Sequence, residues 1–454
     1  MHELEAISPI DGRYRAKVEP FAKYFSEAAL IKYRTRVELE YLLALTETPG
    51  LKIRALTKTE KALLISLYQD FSLQDAQTVK DKEAITNHDV KSVEYFLKDK
   101  LNASSLKDLT EWIHFALTSE DINNIAYALM LSEAIDTEIV PVMRKLISEI
   151  DSLSESNKNL SMLARTHGQA ASPTSFGKEM KVFSARLTRQ LNQIQTYKIL
   201  AKLNGATGNY NAHQIAFPDV DWQKFTSKFI DRLNVNLQIK LEANQLTTQI
   251  ESHDTYAELF DIISRFNTIL ISFDQDIWRY ISDNWLTQKP KDGEVGSSAM
   301  PHKVNPIDFE NSEGNLGLAN ALLNFFTAKL PISRLQRDLS DSTVLRNMGV
   351  ALAYSLIAYQ STIKGLSKLS VNETQITTAL NEHPEVIAEA IQTIMRREGK
   401  ALPYEKLKEL TRGKKVAMSD FKKFIDELDV SETVKTELHA ISPKSYIGLA
   451  AELG

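Results

Sequence analysis

Cysteine is absent from this 454-residue chain. That removes disulfides, thiolate nucleophiles and cysteine-ligated zinc from consideration, and leaves the redox compartment open. No run of about 18 apolar residues occurs, so no segment is expected to span a membrane. A basic excess is also missing. The net charge is −5, which offers no field for nucleic acid or an anionic membrane surface. The opening MHELEAISPIDGRY lacks a charged segment followed by an apolar one, so no secretory signal is expected and a cytoplasmic location is. The length is enough to bury a large core and to divide into two or three domains.

Glycine is sparse, at 16 residues, and the hydrophobic spacing is helical almost throughout. Phe176, Met180, Phe183, Leu187, Leu191, Ile194, Tyr197 and Leu200 step by three or four. The spacing predicts a helix there, with Ser172 as N-cap and Pro173 as its first residue. Tyr256 to Ile281 forms a second long stripe, Ile122 to Leu153 a third, and a fourth follows Ser342 through Leu345, Met348 and Leu356 to Ile363. Helices of this length fit a bundle of roughly antiparallel helices. The stretch from Asn204 to Trp222, carrying Gly205, Gly208 and Pro218, breaks the pattern and reads as a long ordered connection. Three parts are expected: short mixed helices over 1–107, a long-helix bundle over 108–366, and a small helical domain over 367–454.

The segment from Gly296 to Asn311, GSSAMPHKVNPIDFEN, carries the most chemistry. Asn305 reads as a helix N-cap, Pro306 as the first helical residue and Asp308 as part of the first turn. A helix start offers unpaired N–H groups and the positive end of the macrodipole, a natural seat for a carboxylate or phosphate. Lys303 adds a full charge beside it. Gly-Ser-Ser alone describes any flexible loop; the whole string is more specific.

Other polar strings interrupt or end apolar patterns: DGRY (11–14), TNHD (86–89), TSED (118–121), ARTHGQ (164–169), TTQIESHD (247–254) and RDLSDSTVLR (337–346). The last places arginines and hydroxyls together, a combination that suits phosphate, because guanidinium forks and hydroxyls both donate to its oxygens. A solvated charge cluster has the same appearance. Thr118 or Ser119 also suits plain helix capping.

The loop resembles the signature of the fumarase/aspartase superfamily, G-S-x-x-M-x-x-K-x-N, with Gly296, Ser297, Met300, Lys303 and Asn305 in place. Within that superfamily DGRY, TNHDVKSVEYF, HFALTSEDINN, RTHGQ, NGATGNYNAH, TTQIESHD and DSTVLRN are similar to the bacterial adenylosuccinate lyase family, over essentially the entire chain. The resemblance implies an all-α, three-domain fold whose long central bundle packs into a homotetrameric core. It also implies β-elimination of fumarate from adenylosuccinate and from SAICAR, without redox or metal cofactor. The absence of any His-x-x-x-His pair agrees with that expectation.

By match to the family's pattern, Ser297 is the general base and His167 the general acid. His88 holds substrate, with Asn87 and Asp89 beside it. Thr118, Ser119 and Gln249 take the succinyl or base portion. Arg13, Tyr14, Arg337, Ser342 and Arg346 grip the phosphate, with Thr343 among them. Lys303 and Asn305 stabilise negative charge, and Asn311 lies in the same pocket. Sites are expected to be composite, drawn from three chains of the tetramer. Superfamily members such as argininosuccinate lyase or fumarase share the Ser297 loop but have no nucleotide phosphate to bind, and Arg337, Ser342 and Arg346 weigh against them. A non-catalytic helical descendant is opposed by the intact acid and base positions.

Overall fold

The computed structural model describes residues 3–289, 300, 302–413 and 415–454. The principal helices are α1 (Glu27–Thr46), α2 (Asp89–Asn102), α3 (Ser119–Ala134), α4 (Val140–Ser156), α5 (Phe176–Gln195), α6 (Asp254–Ser282), α7 (Ile307–Lys329) and α8 (Met348–Lys368). One π turn, Ile135–Ile139, joins α3 to α4. Short strands accompany them: β1 (Ser161–Thr166), β2 (Gln169–Ser175), β3 (Lys198–Ala201), β4 (Lys240–Ala243), β5 (Leu286–Gln288) and β6 (Leu369–Val371). They pair two by two, β1 with β2 and β5 with β6 antiparallel, β3 with β4 parallel. The architecture is helical, as the periodicity predicts. The three small sheets among the described residues are additions that helical spacing does not reveal.

Packing separates two compact units. The first comprises residues 1–144, 189–268 and 314–359; the second comprises 145–188, 269–313 and 360–454. In the first, α1 is a 20-residue helix buried almost all round, longer than the short helices expected before residue 107. Ser26 starts it by accepting the Ala29 N–H at 3.1 Å. Leu39, Leu42 and Leu43 of α1 share a core with Val93, Phe96 and Leu97 of α2. Deeper along the long helices, Asn267 of α6 donates to Asn320 and Ser355, both at 3.0 Å, and accepts from the Tyr359 hydroxyl at 2.5 Å.

In the second unit a comparable buried group joins the same helices by other residues. Thr362 donates to Asp274 at 3.0 Å and to Ser312 at 2.8 Å. The Asp274 carboxyl is pushed well above its ordinary range by burial, against the bonds from Ser312 and Thr362. Beyond α8 the helices shorten to ten residues or fewer, as expected.

Several expected boundaries move. Ser172 and Pro173 lie in β2, and α5 begins at Phe176. Ser175 is the capping side chain instead, accepting the Lys178 N–H at 3.2 Å. The β1–β2 register shifts between Met162 and Ala164, so Ser172 and Pro173 together face one residue. A bulge of this kind tolerates a proline that cannot donate to the ladder. At α7 the first helical bond runs from Glu310 N–H to the Pro306 carbonyl. Pro306 therefore stands where Asn305 was expected, a displacement of one position. Ser342 falls inside a short helix, Ser340–Leu345, and α8 starts separately at Met348.

Candidate active site

In the first unit the polar strings end helices or begin them. Asn87 takes the left-handed conformation (φ 52°) that closes the helix Leu73–Thr86, a geometry asparagine tolerates. His88 then caps α2, its Nδ1 accepting the Lys91 N–H at 3.2 Å. A ring whose Nδ1 is an acceptor carries its proton on Nε2, so the half-exposed His88 side chain presents an Nε2–H donor outward. Thr118 caps α3, and its N–H donates to Asp121 at 2.9 Å.

Side chains from four strings then join in one network. Arg346 donates to Ser342 Oγ at 2.8 Å and pairs with Asp89 at 3.3 Å. Asp89 also meets Arg34 at 2.7 Å, and Arg34 Nε donates to Asn123 at 2.8 Å. Asn123 reaches Glu120 at 3.4 Å; Glu120 pairs with Arg337 at 3.0 Å; and Arg337 donates to Gln249 at 3.4 Å. Burial raises the Asp89 carboxyl, but Arg34, the Val90 N–H and Arg346 together hold it below its usual range. Glu120 is different. Burial pushes it up to about 7, with Arg337 opposing.

The second unit presents His167 at the tip of the β1–β2 hairpin. His167 (φ 53°) and Gly168 (φ 74°) are both left-handed and lie between the paired Thr166 and Gln169. Two consecutive positive-φ residues make the tight turn whose twist matches antiparallel strands, which is why glycine follows the histidine. The imidazole is exposed. At the start of α7, Lys303 is exposed too, whereas the first-turn Asp308 is neutralised by Lys364 at 3.1 Å and Lys368 at 2.8 Å. A paired aspartate leaves the helix start more hospitable to an anion. Asn311 accepts from Ser361 at 2.7 Å. Ser297 lies outside the described residues.

Comparison with known proteins gives the family. A family model described as "Lyase" matches residues 12–320, and one described as "Adenylosuccinate lyase C-terminal" matches residues 333–447. The chain is 53% identical over 452 residues to adenylosuccinate lyase of Haemophilus influenzae, covering 99% of this chain and 98% of that one. It is 51% identical to the Escherichia coli (strain K12) enzyme of the same name at the same coverage. The chain belongs to the adenylosuccinate lyase family. It is accordingly a C–N lyase.

Solved structures show the same fold at far lower identity. A fumarate lyase from Mesorhizobium sp. BNC1 superposes with a TM-score of 0.72 at 16% identity, over 96% of each chain. A 3-carboxy-cis,cis-muconate lactonizing enzyme from Pseudomonas putida gives 0.72 at 17%, over 97% of this chain and 96% of that one. No helix among the described residues is long and apolar enough to cross a membrane.

For a member of this family, the sequence reading missed several buried partners. Arg34 is 1% exposed and Glu38 is fully buried, four residues apart on the apolar α1. Charged residues at core positions of a helical stripe were the available signal. Glu38 pairs with His114 Nδ1 at 2.6 Å; burial lowers that imidazole's pKa, but Glu38 more than offsets it. Glu120, His253 and Asp341 bring one potential metal-ligand atom each within 4.8 Å of one another. Arg337 already supplies a positive charge to that trio through Glu120, and burial with Arg337 depresses His253 to about 4. Among the described residues no hydrogen bond joins the three to one another, and Glu120 Oε1 and Asp341 Oδ2 are buried without a hydrogen-bond partner. Of the other expected residues, Arg13 lies exposed over the Tyr14 ring at 6.0 Å, and Thr343 is exposed on the short helix before α8.

Proposed function

We propose that the chain eliminates fumarate from adenylosuccinate, giving AMP, and from SAICAR, giving AICAR, with Ser297 as general base and His167 as general acid. The network linking Asp89, Glu120, Gln249, Arg337, Ser342 and Arg346 carries the reading, because it gathers the strings that distinguish this family from its superfamily neighbours. The C–H bond to be broken lies beside a carboxylate, and its loss leaves negative charge. A serine hydroxyl is a poor base in water, so donors around it must stabilise the alkoxide once solvent is excluded. Lys303, Asn305 and the α7 N-terminus are such donors, and they also favour charge spreading into the carboxylate. His167 protonates the departing nitrogen, a task suited to an imidazole, whose ring nitrogen can hold and hand over a proton. Of the phosphate-binding arginines, Arg346 is the more accessible, with 36% of its side chain exposed against 15% for Arg337.

In this reading the protein is a cytoplasmic homotetramer with composite sites, and its segments 1–107, 108–366 and 367–454 are the three domains. Leu318 and Phe325, seven residues apart on α7, are each about half exposed. Gly314 and Gly317 on the same helix have nothing within 4 Å of where a Cβ would stand. A helix that keeps apolar residues and glycines on an open face fits against another copy. The deciding assay compares the purified protein on adenylosuccinate, argininosuccinate and malate by absorbance. Turnover of adenylosuccinate alone is expected; turnover of either other compound in its place sinks the proposal.

A further inference from the structure

Lys202 and Asp121 are both fully buried, and Lys202 Nζ lies 2.8 Å from Asp121 Oδ1. The ammonium also donates to the Gly205 carbonyl at 2.9 Å and to the Gln249 carbonyl at 2.8 Å, so each of its three protons has an acceptor. Asp121 is equally occupied. Oδ1 accepts the Asn204 N–H at 3.1 Å, and Oδ2 accepts those of Gly205 at 3.1 Å and Thr118 at 2.9 Å. The backbone of Lys202 is pinned as well, its N–H donating to Asn124 at 2.8 Å and its carbonyl accepting from Asn124 at 3.0 Å.

Stability alone does not account for such a pair. Taking two charges out of water costs about as much as their attraction returns, and apolar residues of similar volume often do as well. What apolar residues cannot do is hold three separate backbone segments by their polar groups. Here the start of α3, the 204–205 turn and the Gln249 segment are all tied to one ion pair. Gly205 sits in the left-handed region at φ 82°, and its N–H and carbonyl both bind the pair. Beside it, Gln249 Nε2 donates to the Ala206 carbonyl at 3.1 Å, so the same turn orients that side chain.

We propose that Lys202 and Asp121 are positioning residues, which set the spacing of Gln249 from Thr118 and Ser119 at which these groups meet the substrate's succinyl or base portion. The inference rests on the reading of those three as substrate-binding. Neither charged residue touches substrate; both act through the backbone they hold.

The test is steady-state kinetics on adenylosuccinate, with thermal melting, for the full-length wild type, Gln249→Ala, Lys202→Met and Lys202→Met/Asp121→Asn. Lys202→Met strands a buried carboxylate and is expected to lower Tm and raise KM. The double variant leaves no unpaired charge, so most of the Tm should return. Its KM should nevertheless stay about 10-fold above wild type, the equivalent of one displaced hydrogen-bonding group, with kcat changed less than KM. Recovery of both Tm and KM in the double variant overturns the proposal and leaves the pair a structural one. The double variant supplies this readout even where the single one does not fold. Failure of the underlying reading shows separately: wild type inactive on adenylosuccinate, or Gln249→Ala with unaltered KM, would appear before any Lys202 variant is interpreted.

Discussion

Replacing Glu120 with glutamine should change how stability responds to pH more than it changes stability itself. Glutamine keeps an oxygen for Arg337 and Asn123, which approach Glu120 at 3.0 and 3.4 Å, but it cannot ionise. In the wild type, burial raises the Glu120 carboxyl from its ordinary 4.5 to about 7, with Arg337 pulling the other way. A carboxyl raised in this way binds its proton more tightly in the folded state. Its contribution is therefore intact below the unfolded value and is lost as pH rises through the folded one. At about 1.4 kcal/mol per pH unit, the gap corresponds to about 3 kcal/mol lost between roughly pH 5 and pH 8. His253, which burial and Arg337 hold near 4, stays neutral in the folded state across that window while the unfolded imidazole takes up a proton below its ordinary 6.5, so it favours the fold as pH rises, in wild type and variant alike. Asp341, present in both proteins, is one of the charges that raise Glu120, after burial. The assay is urea unfolding of wild type and Glu120→Gln at matched concentration from pH 5 to pH 8. The variant should gain about 3 kcal/mol relative to wild type across the range, most of it between pH 5 and 7. Parallel curves would refute the reasoning.

Other outcomes follow from the proposed chemistry. Ser297→Ala and His167→Ala should each lower turnover about 100-fold or more, the scale of a lost proton-transfer group, while Ser298→Ala does less; the reverse order between the serines would move the base. His167→Asn, which tolerates the left-handed turn, should be as inactive as His167→Ala if the loss is chemical rather than conformational. Arg346→Ala should mainly raise KM, and succinyladenosine should be a poor substrate for the wild type; equal turnover of the two would displace the phosphate site. Subunit exchange between His167→Ala and Ser297→Ala should return about a quarter of wild-type activity if the two residues come from different chains. No recovery after verified reassembly would place both residues in one chain.

The long helices were legible because their apolar residues keep one period over many turns. Tyr256 to Ile281 traces nearly all of α6, and the expected shortening after α8 follows from the loss of such stripes. The β1–β2 hairpin was not legible. Ser172 followed by Pro173 imitates a helix start, and only the cross-strand register with its bulge shows that both belong to a strand. Within the candidate site, the exposed or capping residues of each string could be picked out because they interrupt a pattern. Arg34, Glu120 and Lys202 could not be assigned partners, since each depends on a residue at least 55 positions away in the chain. Charge buried by tertiary pairing leaves little trace in local spacing.

The two buried polar groups on α6, α7 and α8 act together as a key with two teeth. Asn267 and Asp274 stand seven residues apart on α6, and Ser355 and Thr362 stand seven apart on α8. Sliding α8 by one helical turn would carry both hydroxyls away and leave the buried Asp274 carboxyl and Asn267 amide with only their partners on α7, Ser312 and Asn320, a loss of buried hydrogen bonds that the apolar contacts on either side would not register. A slide of seven residues would bring one hydroxyl into the other's place, but Leu366 would then stand where Tyr359 now donates to Asn267. Aliphatic faces that accept several alignments almost equally are in this way restricted to one.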